Sequence, residues 1–429
     1  SGGLEAEQYF NSQGIVYERF FSSGLSMKTG VSQLEESFEF SIGQGNFIDA
    51  KSNRYGVRSQ YIYPMSLSHE LQFGAEYSEQ NINYKGRFSA PPCDEFSSDC
   101  RLVTATEELT GSGNFAIREF NANLADQWDV LPGWQVTPGV LASYNEFTEN
   151  SYLEPRLNSR VRVAQPLTWT LGFGEYHALS GNPGQYTPEF GNPDIDETRS
   201  THYETGLEYQ IKDGLNLTSE LYYKDIKDIV VSRAPQNNYP SLTTEEYNSL
   251  LRYTNDGSGQ SWGVETLVNA DYSDRWYGWV SMTLSRTERS NDITDENFRY
   301  SYDKPIVINA VGNYRWNDRW TFGLKWRYES GQLVTPLEGV EEDDDTPDLF
   351  NPIYGDPFSE RLPAYHRLDF RADRAYQFSR WSMDLYFEVI NLYARENVVG
   401  YRYLNADYSE REEVNDLPPI ASFGVRMVF

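Results

Sequence analysis

The sequence predicts an all-β protein, an antiparallel transmembrane β-barrel with about 18 strands in this chain. Three observations predict this fold class. Apolar and polar residues alternate with a period of two in many segments, the segments are long, and short connections alternate with long ones along the 429 residues. We therefore expect one barrel domain over residues 1–429.

The clearest alternation lies in 319–329, where one face is apolar and the other is charged or small. The apolar face consists of Trp320, Phe322, Leu324, Trp326 and Tyr328. The same division into two faces occurs at 215–224, 367–373 and 381–389. Many candidate strands are longer than the five or six residues that are typical of globular sheets. They are long enough to cross a membrane, which takes about 9 to 11 tilted residues.

The connections support the same fold. Short ones with turn-forming residues lie near 23–24, 131–133, 212–214, 273–274, 317–318 and 379–380. Long ones lie near 39–52, 85–111, 179–198, 233–253, 290–303, 332–365 and 406–418. This alternation places every long loop at one end, as in bacterial outer-membrane barrels, whereas a soluble sandwich or propeller gives no reason for it. Tryptophans near the short turns fit the aromatic girdle of a membrane interface.

The composition excludes other classes of protein. The 64 acidic residues outnumber the 36 basic ones, and the net charge of −28 repels phosphate backbones, so we expect no nucleic-acid partner. Aromatic residues make up 15% of the chain, too many for a disordered acidic protein. No apolar run reaches the roughly 18 residues that a membrane helix needs. Length alone also allows two or three soluble domains.

The last strand has apolar residues at alternate positions and ends on an aromatic one. These residues are Phe423, Val425, Met427 and Phe429. The pattern resembles the C-terminal signature that outer-membrane barrels present to their assembly machinery, which we expect as a partner. Counting back from Phe429 gives about 17 strands if 380–405 is one long strand with a bulge near Asn391; residues 3–10 add one more, and closed barrels have an even number.

No pattern of a catalytic or metal centre is present in the sequence. The four histidines lie far apart without the spacing of a helical metal pair, so we expect no enzyme activity, no bound metal and no cofactor there. Cys93 and Cys100 lie in a stretch rich in Ser and Asp, where we expect a local disulfide formed in an oxidising compartment. Two unpaired surface thiols are the alternative. No secretion signal precedes Ser1, so we expect a mature or trimmed chain.

Short motifs along the chain resemble one known family. They are ANLADQW at 122–128, WQVTPG at 134–139, LEPR at 153–156, FGNPDIDE at 190–197, YETGLEY at 203–209, YHRLDFR at 365–371, VINLY at 389–393 and SFG at 422–424. In this order they are similar to the barrel of TonB-dependent outer-membrane receptors. The resemblance covers 110–429 firmly and 1–110 loosely.

The resemblance implies a multi-pass barrel in the outer membrane of a Gram-negative bacterium. Such receptors have 22 strands around a lumen closed by an N-terminal plug, and the plug and the first strands of that pattern are not found in this chain. Truncation, an unresolved or proteolysed plug, or a receptor divided between two chains would each explain the difference.

The resemblance also implies transport. Members of the family bind a scarce ligand too large for porins, such as a ferric siderophore or another chelate, and a TonB-type inner-membrane protein supplies the energy through the plug. The implied partners are membrane lipid, a plug domain in cis or on another chain, the TonB-type protein and a small-molecule ligand. A passive or substrate-selective porin of about 18 strands is the alternative. A surface structure that uses the barrel only as an anchor is a third interpretation.

The connection 332–365 is strongly acidic. Its consecutive carboxylates are Glu341, Glu342, Asp343, Asp344 and Asp345. Calcium takes six to eight oxygen ligands, so a Ca²⁺ site or a site for a cationic ligand is one interpretation. A solvated acidic loop is the favoured one, because the spacing lacks the order of an EF-hand loop.

Charged residues on the polar strand faces would line the lumen of the barrel. They include Lys325, Arg327, Arg367, Asp369, Arg371 and Asp373. We expect opposite charges at neighbouring inward positions to compensate one another. The alternatives are that they dock a plug or form a selectivity ladder in an open channel. Tyrosine-rich loops could stack on a planar ligand or a glycan.

Overall fold

The computed structural model describes residues 4–42, 45–88, 109–189, 191–232, 253–271, 275–293, 295–342, 350–405 and 407–429. Most of these residues are in β-strands, and the single helical segment among them is a 3₁₀ turn, Pro183–Tyr186. No helix in this part of the chain combines the length and the apolar character needed to cross a membrane.

The described strands are numbered in chain order. They are β1 (Leu4–Phe20), β2 (Ser26–Ile42), β3 (Asn46–Pro64), β4 (His69–Phe88), β5 (Leu109–Leu131), β6 (Trp134–Asn145), β7 (Asn150–Ala164), β8 (Leu167–Ala178), β9 (Thr198–Lys212), β10 (Leu215–Ser232), β11 (Tyr253–Ala270), β12 (Trp276–Asn291), β13 (Glu296–Arg299), β14 (Ile306–Arg315), β15 (Trp320–Glu329), β16 (Leu333–Val334), β17 (Leu337–Glu342), β18 (Phe350–Tyr354), β19 (Glu360–Arg361), β20 (Tyr365–Gln377), β21 (Ser382–Ile390), β22 (Val398–Tyr403), β23 (Arg411–Asn415) and β24 (Ile420–Val428).

Within the described ranges, an 18-stranded antiparallel sheet forms the wall of the protein. From β1 to β12 each strand pairs with the next one in sequence. The wall continues through β14, β15, β20, β21 and β24, and the short β13 pairs only with β12 among the described strands. Three two-stranded sheets, β16–β19, β17–β18 and β22–β23, lie in the long connections.

Five of the six predicted short turns fall between consecutive wall strands, and the sixth, near 273–274, lies outside the described residues. The turn between β5 and β6 needs Gly133, whose φ of 87° is in the left-handed region that favours glycine, and the turn between β9 and β10 uses Gly214 at 74° in the same way. We call the end of the sheet that carries these turns the short-turn end, and the opposite end the long-loop end.

Strand β4 exchanges its apolar and polar faces along its length. Near the short-turn end the apolar residues Phe73, Ala75 and Tyr77 occupy odd positions, whereas near the long-loop end Ile82 and Tyr84 occupy even ones. The pairing of β4 with β3 and β5 runs through this region without a register shift, so no bulge causes the exchange. The face that is apolar near the short turns becomes polar near the long loops.

Two expected features differ in the structure. The interval 39–52 is mostly strand, because β2 continues to Ile42, β3 starts at Asn46, and the ladder between them is unbroken. The interval 380–405 is not one bulged strand, because β21 ends at Ile390 and β22 pairs with β23 outside the wall. The wall reaches 18 strands only when the four-residue β13 is counted.

The other long connections are ordered to different extents. Intervals 290–303, 332–365 and 406–418 contain short strands, and 179–198 contains the 3₁₀ turn. Most of 85–111 and 233–253 lies outside the described residues, as do Cys93 and Cys100. The disulfide stays a prediction.

Candidate functional site

At the long-loop end, a loop packs on the ends of β10 and β11 and forms a buried apolar group that we call the loop cluster: Tyr186, Ile195, Val230 and Tyr253. Phe115 of β5 and Phe147 of the β6–β7 loop pack against it. The ring centroids of Phe115 and Phe147 are 5.6 Å apart, and those of Phe147 and Tyr186 are 5.5 Å apart at nearly right angles. The edge-to-face pair is a favoured aromatic geometry. The cluster holds two connections, β6–β7 and β8–β9, against strands of the wall.

The exchange of faces in β4 explains how the wall meets these loops. The hydroxyl of Tyr84 donates to Glu189 Oε2 at 2.7 Å. A Cβ at Gly111 of β5 would lie 2.7 Å from Cβ of Glu189, so the loop approaches the wall too closely for a side chain there. The apolar positions near the long-loop end thus face protein, whereas the apolar positions near the short-turn end face outward, as in a membrane barrel.

Tyr186 combines nearly complete burial in the loop cluster with a satisfied hydroxyl. Its side chain is 2% exposed, and the hydroxyl donates to the carbonyl oxygen of Ser180 at 3.0 Å. Burial raises the pKa of Tyr186 well above its usual value, because the phenolate would lose its hydration. The hydroxyl therefore stays protonated and remains a donor.

Glu197 joins the β6–β7 loop to the start of β9. Its carboxylate accepts hydrogen bonds from the hydroxyl of Thr148 at 2.7 Å, from Nδ2 of Asn150 at 3.0 Å and from the hydroxyl of Tyr152 at 3.0 Å. The side chain of Glu197 is nearly inaccessible to solvent. Several hydrogen bonds of this kind stabilise a buried carboxylate, and they hold the two loops in one arrangement.

A second attachment point lies between the β13–β14 connection and the connection 332–365. Arg361 donates to Oδ2 of Asp303 at 2.9 Å and to the carbonyl oxygens of Asp303 and Gly331 at 2.7 Å each. The Asp303 side chain is 1% exposed, and its Oδ1 accepts the backbone N–H of Thr287. We call this group the arginine anchor.

The charged residues predicted for the lumen lie on the polar faces of β15 and β20. Arg367 pairs with Asp369 at 2.9 Å, and Arg371 pairs with Asp373 at 2.8 Å. Both pairs join residues two apart in a strand, which share a face. Arg327 pairs with Glu329, and Lys325 lies opposite Asp369 in the ladder. The docking of a plug by these residues stays a prediction.

The C-terminal strand β24 packs beside β21 at the end of the wall. Phe423, Val425 and Met427 share one face of β24 and lie opposite Phe387, Leu385 and Met383 of β21. Phe429 stacks on Trp381 with centroids 6.1 Å apart. Their role as an assembly signal stays a prediction.

Glu341 and Glu342 end strand β17, and Asp343, Asp344 and Asp345 lie outside the described residues. The structure forms no group of three or more metal-ligating side chains within its described residues. The Ca²⁺ site therefore stays a prediction.

Asn391 directly follows strand β21 and starts the branch to β22 and β23. It has a φ of 57° and is 1% exposed. Its backbone N–H donates to Oδ1 of Asp369, its Nδ2 donates to the carbonyl oxygen of Arg395 at 2.9 Å, and its Oδ1 accepts the N–H of Arg395 at 3.0 Å. The side chain thus replaces backbone partners where the ladder stops.

Replacing Asn391 with alanine should loosen the β22–β23 branch. Alanine cannot supply the side-chain hydrogen bonds to Arg395 and Leu417 and tolerates a positive φ poorly, which together cost about 2–4 kcal/mol. Amide hydrogen exchange over 391–417 should therefore accelerate. Glycine at the same position relieves only the backbone strain, so N391G should exchange at an intermediate rate; equal rates for wild type and N391A would contradict this role.

No curated protein matches the sequence. A mutant of the ferric enterobactin receptor PfeA of Pseudomonas aeruginosa is 15% identical with a TM-score of 0.67, over 98% of this chain and 61% of that one. The siderophore receptor PiuA of Acinetobacter baumannii is 12% identical with a TM-score of 0.69, over 98% and 64%. The ferric yersiniabactin uptake receptor FyuA of Yersinia pestis is 12% identical with a TM-score of 0.69, over 99% and 61%.

At these identities the likeness establishes the fold, and the chain spans about three-fifths of the length of the receptors it matches. The sequence also matches the family described as TonB dependent receptor-like, beta-barrel, over residues 5–392. This match covers most of the chain and agrees with the antiparallel wall and its alternation of short turns and long loops. The chain belongs to the TonB-dependent receptor β-barrel family.

Proposed function

We propose that this chain is the barrel of an outer-membrane receptor that imports a scarce chelate, such as a ferric siderophore, with energy from a TonB-type inner-membrane protein. The observation that carries the proposal is the family match over 5–392. The structural relatives support the ligand class, because their names describe receptors for ferric enterobactin and ferric yersiniabactin. By this proposal the long-loop end is external and the short-turn end is periplasmic.

The construction of the long-loop end supports a binding role. The loop cluster and the arginine anchor each join connections that are distant in sequence, so several loops are held in one arrangement before a ligand arrives. Loops that are ordered in advance lose less conformational entropy on binding, and this raises the affinity for a scarce ligand.

We also propose that a plug, in cis or on another chain, and further strands complete the barrel. With β13 set aside, an odd number of strands remains in the described wall, whereas single-chain bacterial barrels have an even number. Outer-membrane lipid, the barrel-assembly machinery and the chelate are the other partners that we propose.

Conductance separates this proposal from a passive or selective porin. The full-length protein is reconstituted into planar lipid bilayers, and the current is recorded at a constant voltage. A receptor whose plug fills the lumen should give no lasting open state. A stable, ohmic pore conductance in most insertions would support the porin and overturn the receptor.

A further inference from the structure

Arg374 is an unusual charge on the apolar face of the wall. It lies near the short-turn end of β20, opposite Trp320 of β15 and Leu385 of β21. Residues two apart in a strand share a face, so Arg374 lies on the same side as Ala372 and Tyr376. This is the side that faces outward in the barrel.

Two aromatic rings lie against this guanidinium. Its central carbon lies 5.2 Å from the ring centroid of Trp320 and 4.8 Å from that of Tyr376. Nearby, the rings of Phe378 and Trp381 stack with centroids 4.0 Å apart. Such distances allow cation–π attraction. An aromatic group at the ends of barrel strands is also the arrangement that marks the boundary between hydrocarbon and headgroups.

The charge of Arg374 has no counterion among the described residues, unlike its neighbours on the other face. Arg371 has Asp373 two residues away on the same face, at 2.8 Å. The residues two positions before and after Arg374, on the same face, are Ala372 and Tyr376, and both are uncharged. Over the described ranges no carboxylate forms an ion pair with Arg374, and its Nε is buried without a hydrogen-bond partner. The protein thus positions a cation at the membrane boundary and leaves its anion to be supplied from outside.

We propose that Arg374, with Trp320 and Tyr376, binds the phosphate of an anionic phospholipid in the periplasmic leaflet of the outer membrane. The proposal rests on the membrane location in the proposed function. Charge selects the headgroup, because a basic residue near a membrane surface attracts anionic lipid. The rings of Trp320 and Tyr376 orient the guanidinium and contact the region between the headgroup and the acyl chains.

Quenching of tryptophan fluorescence by brominated lipids tests this site. The full-length protein is reconstituted into phosphatidylcholine vesicles that contain a small, equal fraction of either brominated phosphatidylglycerol or brominated phosphatidylcholine. Trp320, which is part of the site, is one of 10 tryptophans that report contact with bromine. We expect phosphatidylglycerol to be preferred by about fivefold in relative affinity, which corresponds to the attraction of one basic residue.

Three variants separate the site from general electrostatics. R374Q should abolish the preference, and R374K should keep most of it because the charge remains. R426Q is the matched control, because Arg426 lies at a similar height on the polar face, opposite Asp384; it should keep the full preference. Circular dichroism establishes that each variant retains its strands. If R374Q does not fold, R374M is the second uncharged variant and should also abolish the preference.

The outcomes distinguish the site from the proposed function. Equal quenching by the two lipids in the wild type, or an unchanged preference in R374Q, would overturn the lipid site while leaving the membrane location intact. A loss of preference in R426Q equal to that in R374Q would also overturn it. Absence of quenching by either lipid would mean that the wall is not in the bilayer, and the proposed function would fail first.

Discussion

Replacing Arg361 with alanine is expected to release the connection 332–365 from the wall. The Asp303 side chain is 1% exposed and would lose the guanidinium that lies 2.9 Å away. Removing one partner of a buried ion pair costs about 3–5 kcal/mol. Amide exchange at 300–305 and 331–335 should accelerate by at least about a hundredfold, since each 1.4 kcal/mol corresponds to tenfold.

Arg402→Ala is the control for this prediction. Arg402 also pairs with a carboxylate, that of Glu412, but the two side chains are 65% and 50% exposed. Exposed pairs contribute about 0–1 kcal/mol, so R402A should change exchange little. The double variant R361A/D303N also removes the carboxylate that R361A leaves unpaired. It should recover part of the protection from amide exchange. If R361A exchanged no faster than R402A, the arginine anchor would have no role in holding the loop.

Replacing Tyr186 with alanine is expected to open the loop cluster. The ring is 2% exposed and contacts Phe147 edge to face. Truncating a buried aromatic side chain to alanine costs about 3–5 kcal/mol. Amides in 145–150 and 183–189 should lose most of their protection from hydrogen exchange, because both segments depend on the same contact.

The conservative variant Tyr186→Phe separates packing from hydrogen bonding. It removes only the donation to Ser180, which contributes about 1 kcal/mol. Y186F should therefore remain close to wild type in both segments. If Y186A and Y186F gave the same exchange rates, the hydroxyl and not the ring would hold the loops, and the role assigned to the cluster would be wrong.

The wall could be predicted from sequence because its signals are local. Alternation in 319–329 and the turns at 132–133 and 213–214 depend on adjacent residues, and strand boundaries agree with them. The exchange of faces in β4 is also visible in the local sequence, because its apolar residues occupy odd positions in the first part of the strand and even positions in the second. Period-two patterning does not say whether an apolar face meets lipid or protein, so the contact between Tyr84 and Glu189 required the structure.

The long-loop end was not predictable because its contacts join distant segments. Arg361 and Asp303 are 58 residues apart, and Tyr84 and Glu189 are 105 residues apart. No pattern at either position indicates its partner. Asn391 is an intermediate case: the sequence marked an irregularity there, but a bulge and a strand end have the same local signal until the pairing of β22 with β23 is known.

Uptake by energised cells tests the central claim most directly. Iron-restricted bacteria that produce the full-length protein are given radiolabelled ferric siderophores of several chemical types, with and without a protonophore and in strains with and without the TonB-type protein. The receptor account predicts saturable accumulation of one siderophore type that requires this protein, the proton-motive force and the TonB-type protein together. Accumulation that persists with the protonophore and rises in proportion to external concentration would contradict it.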